Sequence, residues 1–346
     1  MSTYCGVDFH SRQQKIVYMV DGEIKKADLK HQGEEVRQFY SQLPKPVIVG
    51  LEATGSSMWF EKLLAELGHE VWIGNATEIR ARARSRQKND WRDADLVLEL
   101  MIKNEFPRIY RLSEESLEIL RQLRHRHHLV KLRTMAKNSL QSIALSAGLT
   151  RKSKLWSKAG RSKLAALDLS PSLKEQSQEW LDLIDLLGRR ISCIESALEK
   201  VAEADPRVVL LRTHPGIGLL TGLALVHTLE PVTRFSDSRK VTAFAGFEPR
   251  ERSSADKVRY LGISKAGSRL MRFLLVEAAT SAIKQDEQLR RFYYHLCARR
   301  ERPQAKVAVA RKLLVRAWIM LRDQIDYTEF LKRGVAVGSA RTKHRL

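Results

Sequence analysis

"VIVGLEATGS", residues 47–56, decides the reading of the first third of the chain. Val47, Ile48 and Val49 form a β-branched run that reads as a buried strand. Glu52 then stands where that strand ends, ahead of a turn whose Thr54, Ser56 and Ser57 are helix-capping types. A carboxylate in that place either caps the next helix or joins other carboxylates gathered at the strand tip. The neighbouring segments decide between the two.

Working outward, "TYCGVDF" and "QKIVYMV" are short β runs, and "GEIKKADL" is a third, preceded by the hairpin dipeptide Asp21-Gly22. A polar helix over 34–43 is stopped by Pro44 and Pro46. After the strand 47–51, a helix through Trp59, Leu63, Leu64 and Leu67 ends at Gly68, and "EVWIG" is a further strand. Three antiparallel strands followed by alternating helix and strand predict an α/β domain of ribonuclease-H type over residues 1–111. In such a sheet the first and fourth strands are neighbours, so Asp8 of "CGVDFHS" faces Glu52 across one end. "QKNDWRDADLVLELM" starts a helix at Asp90, which puts Asp90 and Asp93 on one face and turns Asp95 away.

Four carboxylates pressed together repel one another and raise each other's pKa unless positive charge sits among them. Oxygen ligands without His or Cys point to Mg²⁺ or Mn²⁺ held by Asp8, Glu52, Asp90 and Asp93. Two such ions, about 3.5–4 Å apart, are the usual apparatus of metal-dependent phosphodiester cleavage. Any one of the four alone reads as a cap or surface charge.

The charge of the whole chain agrees with a polyanionic partner. In 346 residues, 61 Lys and Arg stand against 40 Asp and Glu, a net charge of +21 spread over several clusters. "IRARARSRQK" places Arg80, Arg82, Arg84, Arg86 and Lys88 just ahead of the Asp90 helix, where they are expected to guide a phosphate backbone. Cys5, Cys193 and Cys297 are scattered and odd in number, which excludes a disulfide framework and paired metal-ligand spacing. No apolar run approaches the ~20 residues that span a bilayer, so a soluble, cytoplasmic protein with no membrane partner is expected.

The rest of the chain reads as α: a helical coiled-coil region over 112–204 and a mostly helical domain over 205–346. Trp180, Ile184, Leu187, Ile191, Ile194, Leu198 and Val201 alternate in steps of four and three, the seam of a heptad helix. It packs either against an earlier helix through Leu117 to Leu145 or against a second copy of the chain. The Ser/Lys-rich stretch 148–175 between them is expected to be a mobile basic loop. Within it Trp156 either stacks on a base or packs on its own domain. The basic helix "RQLRHRHHLVKLR" carries His125, His127 and His128, which read as part of a solvated face. "HPGIGLLTGLAL" reads as a helix-hairpin-helix motif, with Gly216 and Gly218 allowing close approach of a phosphate to a helix N-terminus.

"GVDFHS", "GLEATGS" and "KNDWRDADL", with "THPGIGLLTGLAL", "RFSDSRKVTAFAGFEPRERSSADKVRYLGISKAGSRLMRFLL" and "ARKLLVRAWIML" later in the chain, resemble the DEDD transposases of bacterial insertion sequences. The resemblance runs nearly end to end. It implies a RuvC-like first domain, with Asp8, Glu52, Asp90 and Asp93 as the metal-binding catalytic tetrad. It also implies a catalytic serine after "GFEPR", best matched by Ser254. Ala255 stands where the family has Gly, which leaves Ser253 as the alternative. That serine would form a covalent phosphoserine during strand exchange, with Arg250, Arg252, Lys257 and Arg259 holding the phosphate. The family further implies donor and target DNA, a guide (bridge) RNA, a homodimer assembling to a tetramer with a composite site, and a nucleoid location. A hydrolytic junction nuclease shares the carboxylates and the charge but needs no serine.

Overall fold

The computed structural model describes residues 2–83, 90–149, 154–254 and 257–333, with residues 251–261 given by backbone alone. The chain divides into two compact units, Met1–Arg111 and Leu112–Leu346. Each is built around its own cores.

In the first unit, β1 (Thr3–Phe9), β2 (Gln13–Val20) and β3 (Glu23–Lys30) form an antiparallel meander. Asp21 and Gly22 both take positive φ, 51° and 86°, which suits the tight twist-matched hairpin turn between β2 and β3. α1 (Glu35–Ser41) ends ahead of Pro44, and β4 (Val47–Glu52) then enters parallel to β1. α2 (Met58–Glu66) crosses over and terminates at Gly68 with φ 73°, leading into β5 (Glu70–Gly74), parallel to β4. The result is a five-stranded mixed sheet of order β3-β2-β1-β4-β5. Short α3 (Ala76–Ala81) comes next, and α4 (Asp90–Ile102) closes the unit.

Strand alternation sends Cys5, Val7, Ile16 and Leu51 to a core shared with Tyr40, Phe60 and Leu64. Val17 meets Ala94 and Leu98 of α4 on the opposite face. α4 comes close to β1 because residue 6 is glycine: a Cβ there would drive into the Ala94 carbonyl and the Leu98 backbone. Gly50 of β4 similarly makes room for the Met101 sulfur. These two glycines fix α4, and hence its N-terminal carboxylates, beside the ends of β1 and β4.

The second unit opens with two long helices, α5 (Glu114–Ser146) and α7 (Pro171–Ala204), packed on one another. The heptad seam is satisfied within the chain: Ile184, Leu187, Ile191 and Leu198 are buried, with Ile184 beside Ala136 and Leu140 of α5. A second copy therefore has no free seam to pack against. Of the stretch expected as a mobile loop, residues 154–169 pack on the end of this pair, and residues 150–153 lie outside the described residues. α6 (Lys158–Ala165) and its flanks bury Leu155, Leu164 and Leu169, apolar residues that the surrounding lysines mask in the sequence. Trp156 packs against the same cluster rather than standing free.

No packing boundary exists at 204/205. Ile119, Leu120, Leu123, Leu198 and Ala202 share one core with Val208, Leu223, Leu275 and Leu313. That core is completed by α8 (Pro206–Arg212), α9 (Leu219–Leu229), α10 (Ser238–Phe244), α11 (Arg269–Gln285), α12 (Glu287–Cys297) and α13 (Arg302–Asp323). Between α10 and α11 a β-hairpin interrupts the helices: β6 (Pro249–Ser254) pairs antiparallel with β7 (Lys257–Ile263). Alternating charged and apolar residues in "KVRYLGI" carry the period-two signal for it. Among the described residues, no helix is long and apolar enough to cross a membrane.

Candidate metal centre

The register Val7↔Leu51 makes Asp8 and Glu52 the next residues along two adjacent parallel strands, at the same end of the sheet. Asp90 and Asp93 occupy the first turn of α4. Of these, the structure brings Asp8 and Asp90 together with a residue to which sequence reading gave no role, His10. One ligand atom from each of the three lies within 4.8 Å of the others. His10 Nε2 is 3.0 Å from Asp8 Oδ2 and 3.6 Å from Asp90 Oδ2. The signal was present in "GVDFHS": residues two apart at a strand end project to the same side. The oxygen donors expected from the sequence have this imidazole nitrogen among them.

Burial raises the Asp8 carboxyl above the ordinary aspartate range, and the nearby Asp93 and Asp90 raise it further, while His10 opposes them. Among the described residues, no Lys or Arg pairs with Asp8, Asp90 or Asp93. A group of carboxylates short of positive charge, with an imidazole nitrogen among them, fits a divalent cation.

Glu52 is turned elsewhere. Its Oε1 accepts a hydrogen bond from Arg80 Nη2 at 2.7 Å, and it is absent from the Asp8–His10–Asp90 group. Arg80, expected to guide a phosphate, is thereby engaged with a carboxylate. Arg82 donates to the Glu105 carbonyl. Asp95, 45 % exposed, lies 3.4 Å from Lys26, on the side turned away from the group. Arg84, Arg86 and Lys88 lie outside the described residues.

Ser253 and Ser254 sit at the end of β6, paired with Val258 and Lys257 across the hairpin. The side chains of Arg252, Ser253, Ser254, Lys257 and Arg259 lie outside the description, and Arg250 is exposed at the hairpin's base. Helices flank the Pro-Gly-Ile-Gly turn as expected, but Gly216 serves packing. At φ 93° it lies so close to α11 that a Cβ would collide with the Ala278 carbonyl and the Ala282 nitrogen. Gly218 opens onto a cleft whose walls include Glu195, Glu199 and Glu277, which pair with Arg126, Arg212 and Lys306. The basic face of α5 is also partly engaged: Arg126 pairs with Glu195, and the His127 ring lies 4.8 Å from that of Phe273.

A mixed sheet with an acidic group at the end of its central strand, followed in the chain by a strongly basic helical unit, fits a protein that processes nucleic acid. Residues 5–147 match the family model for DEDD transposases of the IS110 type, and residues 208–294 match that described as transposase IS116/IS110/IS902 family. A Sinorhizobium fredii protein assigned as transposase y4pF/y4sB is 30% identical over 308 residues, covering 85% of this chain and 78% of its own. The transposase for insertion sequence element IS1111A of Coxiella burnetii is 28% identical, covering 81% of this chain and 79% of its own. That for IS1328 of Yersinia enterocolitica is 26% identical, covering 83% and 86%. The chain belongs to the IS110 family of DEDD transposases.

Proposed function

We propose that the protein cleaves and rejoins DNA strands during movement of an insertion sequence, with a RuvC-like first unit whose Asp8, Glu52, Asp90 and Asp93 hold Mg²⁺ or Mn²⁺. The convergence of Asp8, His10 and Asp90 at one end of the sheet carries this reading. A bound divalent cation supplies Lewis-acid charge at the phosphate that is cut. Glu52 would join the ligand set by giving up its pair with Arg80. The pair it gives up is weak, because Arg80 is 76% exposed.

Ser254, with Ser253 as the alternative, is the proposed nucleophile. Its Oγ bonds to phosphorus as one P–O ester bond of the strand breaks; the serine loses its proton and the released strand hydroxyl gains one. The phosphodiester energy is kept in the phosphoserine until a new strand hydroxyl reverses the step. Arg250, Arg252, Lys257 and Arg259 are placed by sequence on the same hairpin to hold the phosphate. Donor and target DNA are the substrates, and a guide RNA together with assembly as a dimer or tetramer belongs to the same proposal.

The test is strand cleavage of element-end DNA with and without EDTA, followed by trapping of a protein–DNA adduct. Metal-dependent cleavage and an adduct that maps to Ser254 or Ser253 are expected. Cleavage that survives Ser253→Ala/Ser254→Ala in combination identifies a hydrolytic nuclease instead.

A further inference from the structure

The helical unit carries a second feature that the cleavage chemistry does not use. Midway along α7, Gly188 borders a cleft of about 590 Å³ whose walls include Arg133, Lys137, Trp156, Asp185 and Arg189. Arg133 and Lys137 are four apart on α5 and share a face. The Lys137 ammonium lies 4.0 Å from the centre of the Trp156 ring, and that ring is anchored in the core beneath it. Asp185 is neutralised by Arg161, whose Nη2 is 2.7 Å from each of its oxygens. Among the described residues no carboxylate pairs with Arg133, Lys137 or Arg189. Burial holds Lys137 below the usual lysine range, and Arg133 and Lys154 close by add to the effect.

Gly188 itself is a second, independent observation. Glycine is a poor residue for the interior of a helix, and α7 is 34 residues long. The other described glycines inside helices, Gly160 and Gly222, are explained by close packing. At Gly188 this does not apply, since a Cβ would meet no atom within 4 Å. The bare backbone leaves the cleft open at the point where the cations converge.

We propose that this cleft is a polynucleotide-backbone site, in which Arg133, Lys137 and Arg189 take phosphates of a nucleic-acid strand and Gly188 lets that strand approach α7. Trp156 acts as the wall that holds Lys137 in place. The net charge of +21 and the absence of a free carboxylate among the cleft's described residues favour a nucleic acid over an acidic protein segment. The shared chemistry is the phosphodiester backbone, whether of DNA or RNA.

The test reads binding alone, so it stands or falls separately from the serine and metal chemistry. Full-length protein is titrated by fluorescence anisotropy with a 30-nucleotide single-stranded RNA, the matching single-stranded DNA and the duplex, each at several salt concentrations. For at least one polymer, Arg133→Gln/Arg189→Gln is expected to reduce the slope of log K against log salt by about 1.4–1.8, two phosphates' worth. Lys174→Gln/Lys200→Gln removes the same charge from α7 roughly 20 Å away on either side and is expected to change the slope by less than half of that. The polymer that responds identifies the strand. Gly188→Glu is expected to weaken binding roughly tenfold or more, and Gly188→Ala to weaken it while raising the thermal midpoint. Equal slope changes in the two double variants, or unaltered binding by folded Gly188→Glu protein, overturn the proposal.

Discussion

At the scale of single residues, Glu52 pairs with Arg80 rather than with the Asp8–His10–Asp90 group. The pair is exposed and separable, so Arg80→Gln is expected to tighten divalent-cation binding by up to about fivefold at low salt. Mn²⁺ titration checks this, and unchanged or weaker binding removes Glu52 from the exchange proposed for it. A second residue-scale prediction concerns His214. Its Nδ1–H donates to the Pro215 carbonyl at 2.8 Å, leaving Nε2 to accept from Arg316 at 3.5 Å, so the neutral ring is the form that fits. Burial holds its pKa down to about 4, and Arg316 adds to the effect. The unfolded chain binds the extra proton between about pH 6.5 and 4, so stability is present above that window and is lost as pH falls through it. Against the effect of burial, Asp286 is also held below its ordinary range by hydrogen bonds from the Tyr327 hydroxyl and the Leu289 N–H and by Arg316, and its loss on acidification has the same sign. Urea unfolding of the wild type is expected to lose about 3 kcal/mol from His214 over that window, and His214→Gln to flatten the profile. Sequence reading found the aspartates because strand ends and helix starts are legible. It missed His10 because a histidine two residues from an acid becomes a partner only when α4 brings Asp90 alongside.

At the scale of elements, the site depends on how closely α4 lies on β1. Gly6→Ala forces α4 outward, and is expected to cost about 1–3 kcal/mol of stability and to weaken divalent binding although residue 6 touches no ligand. Chemical denaturation and metal titration of the same variant check both; unchanged metal binding in a destabilised protein separates packing from site geometry. The strand order and the hairpin at Asp21-Gly22 were readable because periodicity, Pro and Gly punctuate this part of the chain. The stretch 148–175 was misread because seven of its residues are Lys or Arg, a composition that hides the three leucines on which it folds. Leu155→Ala is therefore expected to destabilise the helical unit by about 2–4 kcal/mol. A surface loop would show a change close to zero in the same denaturation measurement. The hairpin of β6 and β7 went unread, because its period-two signal is confined to the short run "KVRYLGI" inside a segment otherwise read as helical.

At the scale of the whole molecule, the proposed function gives an acidic site and a strongly basic chain a single purpose: cations would collect the polyanion and carboxylates would hold the metal that acts on it. Composition gave the first half, and motif order gave the family. Sequence could not show that the heptad seam is closed within the chain, nor that helices 112–204 share a core with the helices after residue 204. A heptad repeat specifies a complementary face without specifying whose face it meets. The central claim is that the acidic edge takes up a divalent cation. Isothermal titration of the purified protein with Mn²⁺ and Mg²⁺, compared with Asp8→Asn and Asp90→Asn, tests it most directly. Saturable uptake by the wild type that weakens roughly tenfold or more in each folded variant is predicted; no divalent uptake by the wild type, or equal affinity in the variants, contradicts the account.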